Sequence, residues 1–411
     1  MTTTAVSPAA SQAVGAPTSR VVPIDIFRGV TMAVMIFVNE VAEVRGLPWW
    51  TNHAHAWEDR MTYVDMVFPF FLFAAGLSMP LAITRRLKRN SSMVALCLHI
   101  GSRVLGLLAL GLILANAEKA DPAKMALSGG LWALLGLICM MLYLNAYPRW
   151  ERFPAYATVL RTVGLAGAAV LLGLFRRTTH GGQTAWLDPS YPEILGLIGY
   201  TYLAVAFLYL LTRRWRWAPS LWFVLLVALC ASSTARLVTF PVRLPLYFWP
   251  FGNGAMACIM MAGVVTSILF LGAGKRPSPR FSLTMAVGFA LLTLIAGAAL
   301  TPLGISKIRS TPTWSLYSVG AAVLLFIGLF WLCDLKRWTG WTFPVRSAGS
   351  NTLLTYLLPD LWYFSFVSAG ITFLDSHWNA GAPGVIKALV FTAIILALSA
   401  LLTRSKVRLQ L

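Results

Sequence analysis

Apolar runs of about 18 residues or more recur along the whole chain, each separated from the next by a shorter polar connection. A run of that length crosses the hydrocarbon core of a bilayer as an α-helix. The pattern predicts spans at 24–43, 63–83, 94–116, 127–147, 155–175, 191–211, 218–238, 253–273, 281–303, 313–333, 348–368 and 384–403. The expected fold class is therefore an all-α polytopic membrane protein, a bundle of about 12 transmembrane helices (range about 10–12). No connection is long enough to hold a soluble domain, so 21–411 reads as a single transmembrane domain. Residues 1–20 are small and polar, with neither a basic nor an apolar leader region, and read as a disordered tail rather than a signal peptide.

Charge adds a topology. The 411 residues are 58% hydrophobic and 11% charged, with 33 Lys and Arg against 14 Asp and Glu. An excess of +19 would suit nucleic acid, but here the basic residues fall in short clusters at alternate connections. These are Arg85, Arg86, Lys88 and Arg89; Arg149 and Arg152; Arg213, Arg214 and Arg216; Lys275, Arg276 and Arg280; Lys336, Arg337 and Arg346; and Arg404, Lys406 and Arg408. That is the positive-inside pattern of a multi-pass inner-membrane protein with both termini cytoplasmic, so lipids, and not nucleic acid, are the expected surroundings. The other connections hold most of the acids and histidines: His53 to Asp59, Glu118 to Lys124, His180 to Asp188, and Asp375 with His377. Arg176 and Arg177 are the main exception. Ten spans would keep the alternation and eleven would break it. Cys97, Cys139, Cys230, Cys258 and Cys333 lie singly in apolar runs and read as small core residues; no metal site is expected.

Candidate chemistry concentrates between Ile24 and Ile83. D-I-F-R-G-V-T-M-A-V-M-I-F-V-N (Asp25 to Asn39) precedes a loop with His53, His55, Glu58 and Asp59, and M-T-Y-V-D-M-V-F-P-F-F-L-F-A-A-G follows from Met61. A charged group inside a span costs roughly 2.5–3.5 kcal/mol on insertion scales, so Asp25, Arg28 and Asp65 need a function or an interfacial position. His53 and His55 can act as base or nucleophile, with a carboxylate such as Asp65 as orienter; the plainer alternative is a pair of solvated loop histidines. Asn39 can hold a carbonyl or an imidazole, or simply end its span. His99 and Arg103, spaced i and i+4, share a helix face that could line a path for an anionic cofactor or serve packing. Lys307 and Arg309, in I-S-K-I-R-S-T-P-T-W, could receive an anionic group, and Asn351 begins a late polar stripe with Tyr356 and Asp360.

Together these segments resemble the heparan-α-glucosaminide N-acetyltransferase family, in its bacterial branch, the domain of unknown function DUF5009. The resemblance rests on D-I-F-R-G, M-I-F-V-N, the histidine loop with M-T-Y-V-D-M-V-F-P-F-F-L-F-A-A-G-L-S, L-W-A-L-L-G-L-I, E-I-L-G-L-I-G-Y, I-S-K-I-R-S-T-P-T-W-S-L-Y and G-S-N-T-L-L-T-Y. It runs from about Val22 to Tyr363. It implies a membrane acyltransferase that takes acetyl from cytosolic acetyl-CoA, as co-substrate and without a metal, and delivers it to an amino sugar or glycan on the far side. An outer-facing histidine would be catalytic, with the asparagine matching Asn39 and the aspartate matching Asp65. His53 stands twelve residues before Asp65, as in the bacterial branch, and His55 ten, nearer the animal enzymes, so both remain candidates. On charge and side, Arg28, Arg85 and Arg86 with His99 and Arg103 would receive CoA phosphates, and Asp25, Lys307, Arg309 and Asn351 the acceptor. A homodimer is the assembly to test. The competing reading is a multi-span transporter or flippase without covalent chemistry.

Overall fold

In the computed structural model, residues 22–148, 155–271, 278–371, 373 and 377–410 are described. The 1–20 tail, Arg149, Arg152, Lys275, Arg276 and Asp375 lie outside them. The described residues form a helical bundle: α1 Val22–Val41, α2 Val64–Arg89, α3 Met93–Asn116, α4 Gly129–Leu144, α5 Tyr156–Leu174, α6 Glu193–Thr212 and α7 Ala218–Thr234. The chain continues through α8 Ala255–Leu271, α9 Pro279–Ala299, α10 Pro312–Phe330, α11 Phe343–Ser350, α12 Thr352–Ser368 and α13 Gly381–Arg404. Each predicted span falls on one of these helices except 348–368, which covers the end of α11 and the whole of α12. Eight of the helices among the described residues are long and apolar enough to cross a bilayer, while Gly129–Leu144, Ala218–Thr234 and Ala255–Phe270 are apolar but shorter.

The predicted span 348–368 is broken: α11 ends at Ser350, and Asn351 separates it from α12. The Gly349-Ser350-Asn351 sequence, with Asn351 outside helical geometry, interrupts the run between α11 and α12. One short antiparallel hairpin, β1 Arg177–Thr178 with β2 Thr184–Ala185, joins α5 to α6. It accounts for the charge exception: Arg176 donates to the carbonyls of Gly173 and Phe175, and Arg177 to that of Trp186.

Small residues set the helix contacts, as expected where hydrocarbon gives no drive to bury apolar surface. A Cβ on Gly76 of α2 would stand 1.8 Å from the Met260 carbonyl oxygen of α8, and one on Gly263 2.1 Å from that of Phe73. Gly29 of α1 and Gly349 of α11 make the equivalent pair against Val345 and Asp25. The backbones therefore touch. Phe27, Phe73, Trp314 and Phe326 fill the core around α2, α8 and α10, and Met32, Ile36, Trp132 and Leu357 a second one around α1, α4 and α12. The cysteine expectation is corrected in part: Cys230, Cys258 and Cys333 are buried, but Cys97 is exposed and Cys139 half-buried. Cys97 shares the outer surface of α3 with Leu98 and Leu105, a surface suited to lipid contact.

Candidate active site

The start of α2 is organised around one buried carboxylate. Thr62 precedes Asp65 by three residues, and Asp65 Oδ2 reaches back to accept from the Thr62 N–H at 3.0 Å, just ahead of the helix start. The same oxygen accepts from the Thr62 hydroxyl at 3.4 Å and the Ala54 N–H at 3.3 Å. His53 Nδ1 lies 2.7 Å from Oδ1. Asp65 is only 1% exposed, yet the first turn of α2 and these donors suit a negative charge there. The His53 ring is 44% exposed, so the pair has a buried acid and an accessible imidazole.

Lys307 arrives from the connection before α10. Its ammonium stands 3.3 Å from His53 Nε2 and 3.5 Å from Nδ1. The motif around it explains its placement. The Ser306 N–H donates to Thr311 Oγ1 at 3.0 Å and the Thr311 N–H to the Ser306 carbonyl at 3.1 Å, closing a short loop. Thr311 then caps α10, Pro312 takes the first helical turn, and the buried Trp314 indole donates to the Asp65 carbonyl at 3.0 Å. Burial holds the Lys307 pKa below the ordinary lysine range.

Arg309 ties the two loops together: its guanidinium pairs with Asp59 and lies 3.4 Å from the Glu58 carbonyl. The Arg309 hydrogen bond lowers the Asp59 pKa, and that from Arg60 lowers the Glu58 pKa. Arg60 in turn covers the Trp49 ring at 4.2 Å. His55 has a different setting: its ring stacks on the exposed Trp57 at 4.5 Å, and its backbone N–H donates to Glu58 at 3.0 Å. Asn39 is exposed in the last turns of α1 and forms no hydrogen bond with His53 or Asp65.

A second group lies further along α2. Arg28 bonds to Ser78 and stands 3.8 Å from Asp25. Ser78 is 13 residues beyond Asp65, about 20 Å at helical rise. Arg28, Arg103 and Asn351 line one cavity of about 250 Å³, which reaches Phe71 and Tyr356. The Arg103 guanidinium lies over the Tyr202 ring at 4.6 Å, and its buried Nε has no hydrogen-bond partner among the described residues. Arg86 and His99 are within electrostatic reach of Arg103, while Arg85 is an exposed neighbour in the last turns of α2. Asn351 also has a structural task, donating to Thr403 Oγ1 and the Val407 carbonyl and accepting from the Leu409 N–H.

Most of the residues singled out from sequence thus gather in two places, with Asn39 and His55 bonded into neither. His53, Asp65 and Lys307 meet at one end of α2, with Arg309 bracing them. Arg28, Arg103 and Asn351 line the cavity, with Asp25, Arg86 and His99 alongside. Thr62, Trp314 and Ser78 escaped the sequence reading as individual residues. The T-x-x-D spacing signals the first, but a partner 249 residues away leaves no local mark for the second.

The model of the family described as a domain of unknown function, DUF5009, matches residues 20–250, more than half of the chain. Heparan-alpha-glucosaminide N-acetyltransferase of Homo sapiens is 37% identical over 93 residues, 23% of this chain and 13% of that protein. The Mus musculus protein of the same name is 36% identical over the same shares. The match thus spans about an eighth of these relatives' length. With more than half its length covered by that family model, the chain belongs to the DUF5009 family.

Proposed function

We propose that the protein is a transmembrane acetyltransferase that uses cytosolic acetyl-CoA to acetylate an amino sugar or glycan on the outer face of an inner membrane. The observation that carries this reading is the His53–Asp65 pair at 2.7 Å beside Lys307, at the opposite end of α2 from its basic terminus. Asp65 Oδ1 accepts a hydrogen bond from His53 Nδ1–H, which fixes the tautomer and leaves the Nε2 lone pair to act. Nε2 either removes the proton of the acceptor amine as it attacks, or first takes the acetyl group itself. In both routes the acetyl C–S bond breaks, a C–N bond forms, and the amine proton ends on the CoA sulfur. Lys307, 3.3 Å from Nε2, can donate to the carbonyl oxygen as negative charge develops there.

The cavity and its basic rim support the donor half. An Arg103 Nε with no hydrogen-bond partner among the described residues and the Arg28 guanidinium suit a phosphate, and Arg85, Arg86, Lys88 and Arg89 further along α2 carry the charge expected of a cytoplasmic end. From Phe71 to Ser78 the cavity and Arg28 lie about 9–20 Å below Asp65 along α2, so a donor held there must extend an arm toward His53. At about 250 Å³ the cavity suits such an arm rather than a whole coenzyme.

Purified protein in nanodiscs, given acetyl-CoA with and without glucosamine, tests the reading. Release of free CoA that requires an amino sugar is the expected result. No acetyl-CoA binding and no release with any amino sugar would favour a transporter without covalent chemistry.

A further inference from the structure

We infer that the acceptor's sugar ring sits in a cavity between α6 and the α7–α8 connection, which holds one hexosamine and reads its hydroxyl groups. This rests on the acetyltransferase reading and narrows its substrate to a single hexosamine unit without an anionic substituent. The cavity encloses about 260 Å³, and its lining includes Tyr200 of α6, Leu246, Phe251 and Asn253 of the connection, and Arg309 and Ser310.

Placement comes first. Lys307 stands 3.3 Å from His53 Nε2, and Arg309, two residues on, lines the cavity and pairs with Asp59 of the histidine loop. One three-residue segment thus touches the imidazole with its first residue and the cavity with its third. The α-carbons of those two residues are at most about 7 Å apart. Asn253 ties the facing wall to the same segment: its Nδ2 donates to the Ser310 carbonyl at 2.9 Å, and its Oδ1 accepts from the Ala255 N–H at 3.1 Å.

The lining then selects the occupant. Both side-chain hydrogen bonds of Arg309 are made by Nη2, so Nε and Nη1 have no hydrogen-bond partner among the described residues. The Tyr200 hydroxyl has none among them either. These unused groups stand beside the Tyr200 and Phe251 rings, and aromatic surface with a few convergent polar groups suits a sugar. Among the described residues of the lining Arg309 alone is charged, and Asp59 already neutralises it. Within that lining an anionic substituent meets no unpaired cation. The volume lies below the roughly 300–1,000 Å³ of drug-sized sites, room for one ring and not for two.

The test follows CoA release by the full chain in nanodiscs with glucosamine, its 4-deoxy and 6-deoxy analogues, and glucosamine 6-sulfate. At least one deoxy sugar is expected to lose about tenfold or more in kcat/KM. That loss should vanish in Tyr200→Phe or in Arg309→Gln, where the group that read the missing hydroxyl is gone. Leu246→Trp, which fills the cavity from the connection, is expected to raise the glucosamine KM at least tenfold, with the melting temperature and the acetyl-CoA Kd at the parent's values. Equal rates with both deoxy sugars, a parental KM in Leu246→Trp, or a preference for glucosamine 6-sulfate would overturn the inference while leaving the transferase reading intact.

A second readout needs no turnover. A glucosamine bearing a diazirine should label α6 and the α7–α8 connection on photolysis, and the label should be lost with excess glucosamine and in Leu246→Trp. Labelling elsewhere, or labelling that glucosamine does not displace, would contradict the inference. If no acceptor releases CoA yet the cavity is labelled and competed, the transferase reading fails and the sugar site stands.

Discussion

Asp65 is the residue on which the proposed chemistry turns. A carboxylate 1% exposed persists there because it has four donors and the first turn of a helix. Asp65→Asn keeps the shape but cannot hold the same imidazole tautomer, and it is expected to lower kcat by about 10²- to 10⁴-fold. Asp65→Ala should also destabilise the fold, by about 1–3 kcal/mol for each buried donor left unpaired. Steady-state rates with detergent melting curves separate the two effects. Lys307 gives a pH prediction. Its pKa is lowered by burial, so the ammonium is lost at a lower pH than an ordinary lysine's. If that charge stabilises the developing oxyanion, activity falls as pH rises through the lowered value. Lys307→Arg should shift that alkaline limb upward, and an unchanged limb would remove Lys307 from the chemistry. His53 and His55 could not be separated by spacing, because both lie in one polar loop two residues apart. Only the turn that brings His53 to Asp65 and stacks His55 on Trp57 distinguishes their surroundings.

Along its length, α2 carries the site at its start, the Arg28 contact at Ser78 just past its middle, and a backbone-to-backbone seam with α8 between them. Gly76→Val inserts a branched side chain where a Cβ alone would stand 1.8 Å from the Met260 carbonyl oxygen. It is expected to cost at least about 3 kcal/mol. Gly288→Ala, whose Cβ meets nothing within 4 Å, should leave the melting temperature nearly unchanged. Equal effects would mean that the seam does not hold the bundle. Helix positions were legible because long apolar runs leave few alternatives in a bilayer. The break at Asn351 was not, since hydropathy averages over a single polar residue. Its hydrogen bonds to Thr403, Val407 and Leu409 are made by segments more than 50 residues away.

For the whole molecule, the two groups of polar residues stand at different depths of one bundle, and the proposed reaction requires them to face different compartments. In a cysteine-free background, Trp57→Cys should react with a membrane-impermeant maleimide added to intact cells, and Lys88→Cys only after permeabilisation. The opposite pattern would invert the proposed direction of transfer. Charge alternation gives an expected orientation from the chain alone, which this labelling tests, whereas the meeting of His53 with Lys307, 254 residues apart, depends on how α2 and α10 pack and has no local signature.

The proposed chemistry is tested by glucosamine-dependent release of free CoA from acetyl-CoA by purified protein, measured side by side for the parent chain, His53→Ala and His55→Ala. Release is expected to be lost in His53→Ala and retained within a few-fold in His55→Ala. Loss confined to His55→Ala, or full activity in His53→Ala, would contradict it.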